Sequence, residues 1–194
     1  MNTKNNSQSI YYPPGGILVW IIVVVEVVTF TSALLVFLYQ RDSNPEVFNA
    51  SQAMLNKSLG TINTLLLVTG GFLMATCINK LKSGKNKESL YWIIGAIVMG
   101  LLFLFVKGYE YHDKLAHGYS IDYNDFFMYY WLLTGFHFLH VLAGVIILIF
   151  LLVDIKVGRA TAENFENLES GGIFWHMCDL IWLMLFPVLY LLQV

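Results

Sequence analysis

The sequence predicts an all-α membrane protein built as a bundle of five transmembrane helices, and three observations carry that reading. Of 194 residues, 57% are hydrophobic and only 12% charged, against about 25% charged in a typical soluble domain. Five apolar runs recur along the chain, each near the ~20 residues that a helix rising ~1.5 Å per residue needs to cross ~30 Å of hydrocarbon. The remaining charges gather between the runs.

The first run, 17–39, is entered through Pro13-Pro14-Gly15-Gly16, a turn or helix-start signal. It follows a polar start and leads to no small-residue cleavage site, so it reads as a retained span and not a signal peptide. The second run is 59–78, the third 90–109, the fourth 126–153 and the fifth 173–192. Unsatisfied backbone in lipid is costly, so each run is expected to be helical throughout. Pro187 should kink the fifth span or face a group that satisfies the carbonyl it frees. Residues 1–16 are expected to form an N-terminal segment and 17–194 a single transmembrane domain.

Lysine and arginine bias sets the expected orientation. With the N-terminus cytoplasmic, Lys4, Lys80, Lys82, Lys85, Lys87, Lys156 and Arg159 lie inside, and Arg41, Lys57, Lys107 and Lys114 lie outside. Seven against four places the N-terminus in the cytoplasm and the C-terminus outside. A net charge of −2 offers no basic surface for nucleic acid. Cys77 and Cys178 are too few and too isolated for a disulfide framework or zinc site, and read as buried thiols.

Ionisable groups at membrane depth are expensive, so the few present are informative. Glu26 lies nine residues into the first span, roughly 14 Å deep, and its cost favours a protonatable group facing protein or a water pocket. His137 and His140, spaced i, i+3, share one face of the fourth span, and His176 and Asp179 repeat that spacing on the fifth. These four admit a metal-ligand reading, but interhelical hydrogen bonding is favoured. Gly135, Ala143 and Gly144, with Gly70, Gly71, Gly95 and Gly100, permit close helix approach. Tyr11, Tyr12, Tyr109, Tyr111, Tyr129, Tyr130 and Trp131 read as interface anchors. Lys107, Glu110, His112 and Asp113 read as a solvated helix end whose pairs contribute little.

Five motifs in order resemble subunit III of the haem–copper oxidases. Glu26-Val27 resembles that family's Ser-Glu-Val, whose glutamate is its carbodiimide-reactive carboxyl, with Val25 in place of the serine. Ile62-Asn63-Thr64-Leu65-Leu66-Leu67 resembles Leu-Asn-Thr-x-Leu-Leu, and Lys107-Gly-Tyr-Glu110-Tyr111 is similar to Gln-x-x-Glu-Tyr. Gly135-Phe-His137-Phe-Leu-His140-Val-Leu-Ala-Gly144 and Trp175-His176-Met-Cys-Asp179-Leu-Ile-Trp182-Leu are similar to the histidine motifs of the last two family helices. The longest members have seven helices, and this chain lacks the first two.

The resemblance implies a five-helix accessory subunit of a bacterial cytochrome c oxidase in the cytoplasmic (inner) membrane. It would bind no cofactor of its own, with haem and copper in partner subunits I and II. It would hold phospholipid, stabilise the catalytic subunit and support proton uptake. Glu26, Glu110, His137, His140, His176 and Asp179 would be proton- or lipid-associated, and Trp175, Trp182, Gly135 and Gly144 would pack lipid or subunits. A respiratory supercomplex is a further expected setting. Rival readings are a quinol oxidase subunit III, the related nitric oxide reductase accessory protein, a stand-alone membrane metalloenzyme and, ranked low for want of a repeat, a transporter.

Overall fold

The computed structural model describes residues 13–192; Tyr11, Tyr12 and Lys4 lie outside them. Six α-helices follow in order: α1 Ile17–Ser43, α2 Pro45–Ala53, α3 Lys57–Lys82, α4 Asn86–Ala116, α5 Asp125–Val157 and α6 Glu166–Phe186. A π-helical turn, Pro187–Leu191, extends the last. All of these but the short α2 are long and apolar enough to cross a membrane. The five long helices match the five apolar runs, each extended at one or both ends by more polar turns.

The 40–58 segment departs from the expectation of a plain linker, because α2 forms there. Pro45 occupies the first turn, where its missing N–H costs nothing. Phe48 of α2 inserts between Phe37 of α1 (5.3 Å between ring centroids) and Phe126 of α5 (5.8 Å). Asn124 caps α5 by accepting from the Phe127 N–H at 2.9 Å and donates to Ser51 of α2 at 2.8 Å. Asn56 caps α3 through the Ser58 and Leu59 N–H groups. The tight α3–α4 turn places Gly84 at φ +72°, and Gly158 ends α5 at φ +78°, both in the left-handed region that glycine enters without steric cost.

Helix α3 packs along α4, α4 along α5, α5 along α6 and α6 back on α3, closing a four-helix core. Helix α6 is the most enclosed of the long helices, and α1 is the least, lying outside against α6 and α5.

Trp175 of α6 centres the core. Its ring meets three glycines, one from each neighbouring helix: Gly70 of α3, Gly100 of α4 and Gly144 of α5. A Cβ at Gly144 would stand 3.0 Å from the indole, and one at Gly100 2.6 Å. The small residues therefore admit a large ring as well as a close backbone. Gly135 is the exception within this chain. It precedes Gly144 by nine residues, about two and a half helical turns, so it faces the opposite side of α5, with nothing within 4 Å of a Cβ there. Gly135→Ala should therefore raise stability by up to ~1 kcal/mol through helix propensity, measured by thermal unfolding in detergent. Gly144→Ala should lower it.

Pro187 does not simply kink α6. The chain widens there into the π turn, closed by Leu192 N–H donating to the Pro187 carbonyl at 3.0 Å. Gln52 of α2 donates to the Val188 carbonyl at 3.3 Å. Tyr190, on this turn, is fully buried.

Candidate functional site

Four groups of polar residues within the spans bear on function.

The first joins α1 to α5. Glu26 Oε2 lies 3.3 Å from His140 Nε2, both side chains largely enclosed. His140 Nδ1 is 2.9 Å from the Phe136 carbonyl, which can only accept, so Nδ1 carries a hydrogen. The other ring nitrogen, Nε2, is the one that faces the Glu26 carboxyl group. An apolar groove of about 420 Å³ adjoins the pair, lined by Thr29, Phe30, Ala33 and Val36 of α1 and Tyr129, Leu132, Leu133 and Phe136 of α5. Phe30 and Phe136 belong to both, their ring centroids 5.8 and 4.8 Å from that of His140. Besides this pair, α1 is held at one end by Phe37 among Phe48 and Phe126. At the other end Ser170 Oγ donates to the Gly15 carbonyl at 2.7 Å.

The second group is His137. The expected interhelical hydrogen bond is not what holds it. The imidazole is fully buried, and neither nitrogen has a hydrogen-bond partner among the described residues. It stacks on Trp182 at 5.3 Å, with Phe103 edge-on at 5.7 Å. Trp182 donates its indole N–H to Thr64 Oγ1 at 2.9 Å. Ring packing thus fixes His137, and Phe30 touches both His137 and His140, at 6.4 and 5.8 Å between ring centroids.

In the third group, His176 Nδ1 lies 3.2 Å from Asp179 Oδ2 on α6, and both abut Gly71 of α3. Asp179 is buried while His176 is exposed at the edge. Among the described residues no three of His, Cys, Asp and Glu gather as a metal site. Cys77 and Cys178 are buried free thiols.

The fourth group overturns the reading of Lys107 and Glu110 as a solvated helix end. Lys107 is fully buried and Glu110 is 1% exposed. The ammonium donates to Glu110 Oε2 at 3.0 Å, to Tyr130 Oη at 3.2 Å and to Tyr190 Oη at 2.6 Å. Both phenols donate to Glu110 Oε1, at 2.9 and 2.7 Å. Three ammonium hydrogens find three acceptors, and the second carboxylate oxygen takes both phenols, so the network closes on itself. The faces of Tyr111 and Trp182 lie 5.1 and 5.4 Å from the Lys107 nitrogen. Tyr130 is therefore a core residue, not an interface anchor. Tyr190 was not singled out in the sequence, because only the π turn after Pro187 brings it inward. Lys114 is also largely buried, donating to the Met54 carbonyl at 2.8 Å.

The comparisons with known proteins agree with this architecture. A family model described as cytochrome c oxidase subunit III matches residues 16–194. The "Heme-copper oxidase subunit I+III" of Aeropyrum pernix is 28% identical over 179 residues, 89% of this chain and 22% of that protein. A "Probable cytochrome c oxidase subunit 3" of Mycobacterium tuberculosis is 32% identical over 130 residues, 67% of this chain and 64% of the relative. The "Cytochrome c oxidase subunit 3" of Thermostichus vulcanus is 33% identical over 135 residues, 68% of this chain and 65% of the relative. The chain thus spans about a fifth of the fused relative and just under two thirds of the others. With a match that runs from the entry of α1 to the C-terminus, the chain belongs to the cytochrome c oxidase subunit III family.

Proposed function

We propose that the chain is the accessory subunit III of a respiratory cytochrome c oxidase in a bacterial cytoplasmic membrane, packed beside subunits I and II. The family match over 16–194 carries this reading. The relative named as a fusion of subunits I and III supports subunit I as the neighbour. Haem, copper and oxygen reduction belong to the partner subunits; this chain stabilises them, holds phospholipid and supports proton uptake. The N-terminus is cytoplasmic, following the lysine bias, and the complex is a candidate member of a respiratory supercomplex. The α1–α5 groove suits an acyl chain, being lined almost entirely by apolar side chains. Glu26 and His140 at its edge form the pair best suited to hold or pass a proton. Asp179 with His176, and Glu110 with its phenols, stand apart from that pair and act as contacts between helices.

Gentle detergent extraction of the tagged chain, followed by mass spectrometry, metal analysis and an optical haem spectrum, tests the assignment. Subunits I and II, haem and copper are expected in the eluate. Recovery with a reductase lacking copper, or recovery alone with stoichiometric iron or zinc, would reject it.

A sharper expectation concerns Glu26→Gln. The amide keeps the shape of the carboxyl but cannot ionise. Assembly should be unchanged, while proton uptake or turnover lifetime falls roughly two- to fivefold, the effect of losing a contact worth ~0.5–1 kcal/mol. Proton-uptake rates and turnover decay in reconstituted oxidase measure this. Wild-type behaviour in both would remove the pair from proton traffic.

A further inference from the structure

We infer that the inner end of the α4–α5 seam is a binding site for one anionic diacyl phospholipid, separate from the α1–α5 groove and independent of it. Six basic residues cluster at this end of the bundle. Lys80 and Lys85 pair with Glu88 at 2.6 and 3.5 Å, Lys82 pairs with Glu169, and Arg159 pairs with Asp154 at 3.1 Å. Lys87 and Lys156 are different. Among the described residues, no carboxylate lies within ion-pair distance of either. Both line the same groove, of about 300 Å³, opposite each other on antiparallel helices. The two cations left unneutralised at this end therefore converge on one cavity.

The rest of the groove selects lipid over a soluble anion. Its floor is Leu90 and Ile94 of α4 and Leu152 of α5, and Tyr91 stands at the rim, 77% exposed. Ile94 follows Lys87 by seven residues, roughly 10 Å along the helix, so the floor descends from headgroup level into the hydrocarbon. A phosphate placed between the two ammoniums would leave an acyl chain on the apolar floor and the tyrosine at the interface, where its amphipathic ring is favoured. No carboxylate at the rim repels it, since Glu88 and Asp154 are already paired. A zwitterionic headgroup would bring its own cation against the lysines.

The test uses the detergent-purified oxidase complex containing the full chain, titrated with phosphatidylglycerol or phosphatidylcholine and read by native mass spectrometry. Tighter binding of phosphatidylglycerol is expected. Lys87→Gln with Lys156→Gln should weaken it roughly tenfold to thirtyfold, as expected for two lysines at a membrane surface, and leave phosphatidylcholine unchanged. Lys80→Gln with Lys85→Gln, which removes paired lysines, should leave both lipids unchanged. Ile94→Trp, filling the floor with the lysines intact, should weaken binding of phosphatidylglycerol. Equal affinity of the wild-type complex for the two lipids would overturn the inference. So would undiminished phosphatidylglycerol binding by the Lys87/Lys156 variant or by Ile94→Trp.

Discussion

Glu110→Ala is expected to destabilise the bundle by about 3–5 kcal/mol, the cost of stranding one member of a buried ion pair. The ammonium of Lys107 would remain at 0% exposure without a carboxylate, and the phenols of Tyr130 and Tyr190 would lose their common acceptor. These groups come from α4, α5 and the turn after α6, so the loss falls on the packing of three elements together. Lys107→Met combined with Glu110→Gln should recover much of that loss. The apolar chain needs no counter-charge, and the Gln carbonyl still accepts from the phenols. A coupling energy of about 2–3 kcal/mol between the two positions is expected, near the upper range for residues in contact. Thermal unfolding of the detergent-solubilised protein measures both. A single-variant cost below ~1 kcal/mol, as for a solvated pair, would show that the network is not closed to water.

The second large effect is at Trp175. Trp175→Ala should cost about 3–5 kcal/mol, because a fully buried indole leaves a cavity that three glycine-faced helices must close upon. Filling the cradle from the other side should also be harmful. Gly100→Val places new atoms where a Cβ alone would stand 2.6 Å from the indole and 2.7 Å from Val145 Cγ2. The ring is held by Gly70 and Gly144 and has little room to retreat, so a loss of about 1–3 kcal/mol is expected from overpacking. Combining Gly100→Val with Trp175→Leu should cost less than the sum of the separate losses, since the smaller side chain vacates the contested space. Strict additivity would mean that Gly100 acts elsewhere than on the indole.

The spans were legible because membrane helices must be continuously apolar: 17–39, 59–78, 90–109 and 126–153 each fall within a long helix, and the fifth run follows α6 and its π turn as far as Leu191. The pairing of Glu26 with a histidine of the fourth span was within reach of depth and cost arguments, although not the choice of His140 over His137. That choice depends on rotation of α5, which turns His137 into a ring stack and His140 toward α1. Helical phase separates Gly135 from Gly144, and among the described residues no other helix of this chain packs on it. Lys107 and Glu110 were misread because charges near the end of an apolar run ordinarily meet water. Their partners lie 20 or more residues away on other elements, and one depends on a backbone widening that a single proline only hints at. The α2 helix was hidden in a polar segment whose apolar anchors, Phe48 and Leu55, are separated by a stretch that includes Asn49, Ser51 and Gln52.

The central claim is that this chain supports an oxidase whose redox chemistry lies in its partners. The most direct measurement removes the chain from the purified complex and follows haem absorbance and oxygen consumption in the remainder. The account predicts that the full haem spectrum and the initial rate stay with the depleted complex while its turnover lifetime shortens. Haem absorbance that leaves with the chain, or oxygen reduction that stops the moment it is withdrawn, would contradict it.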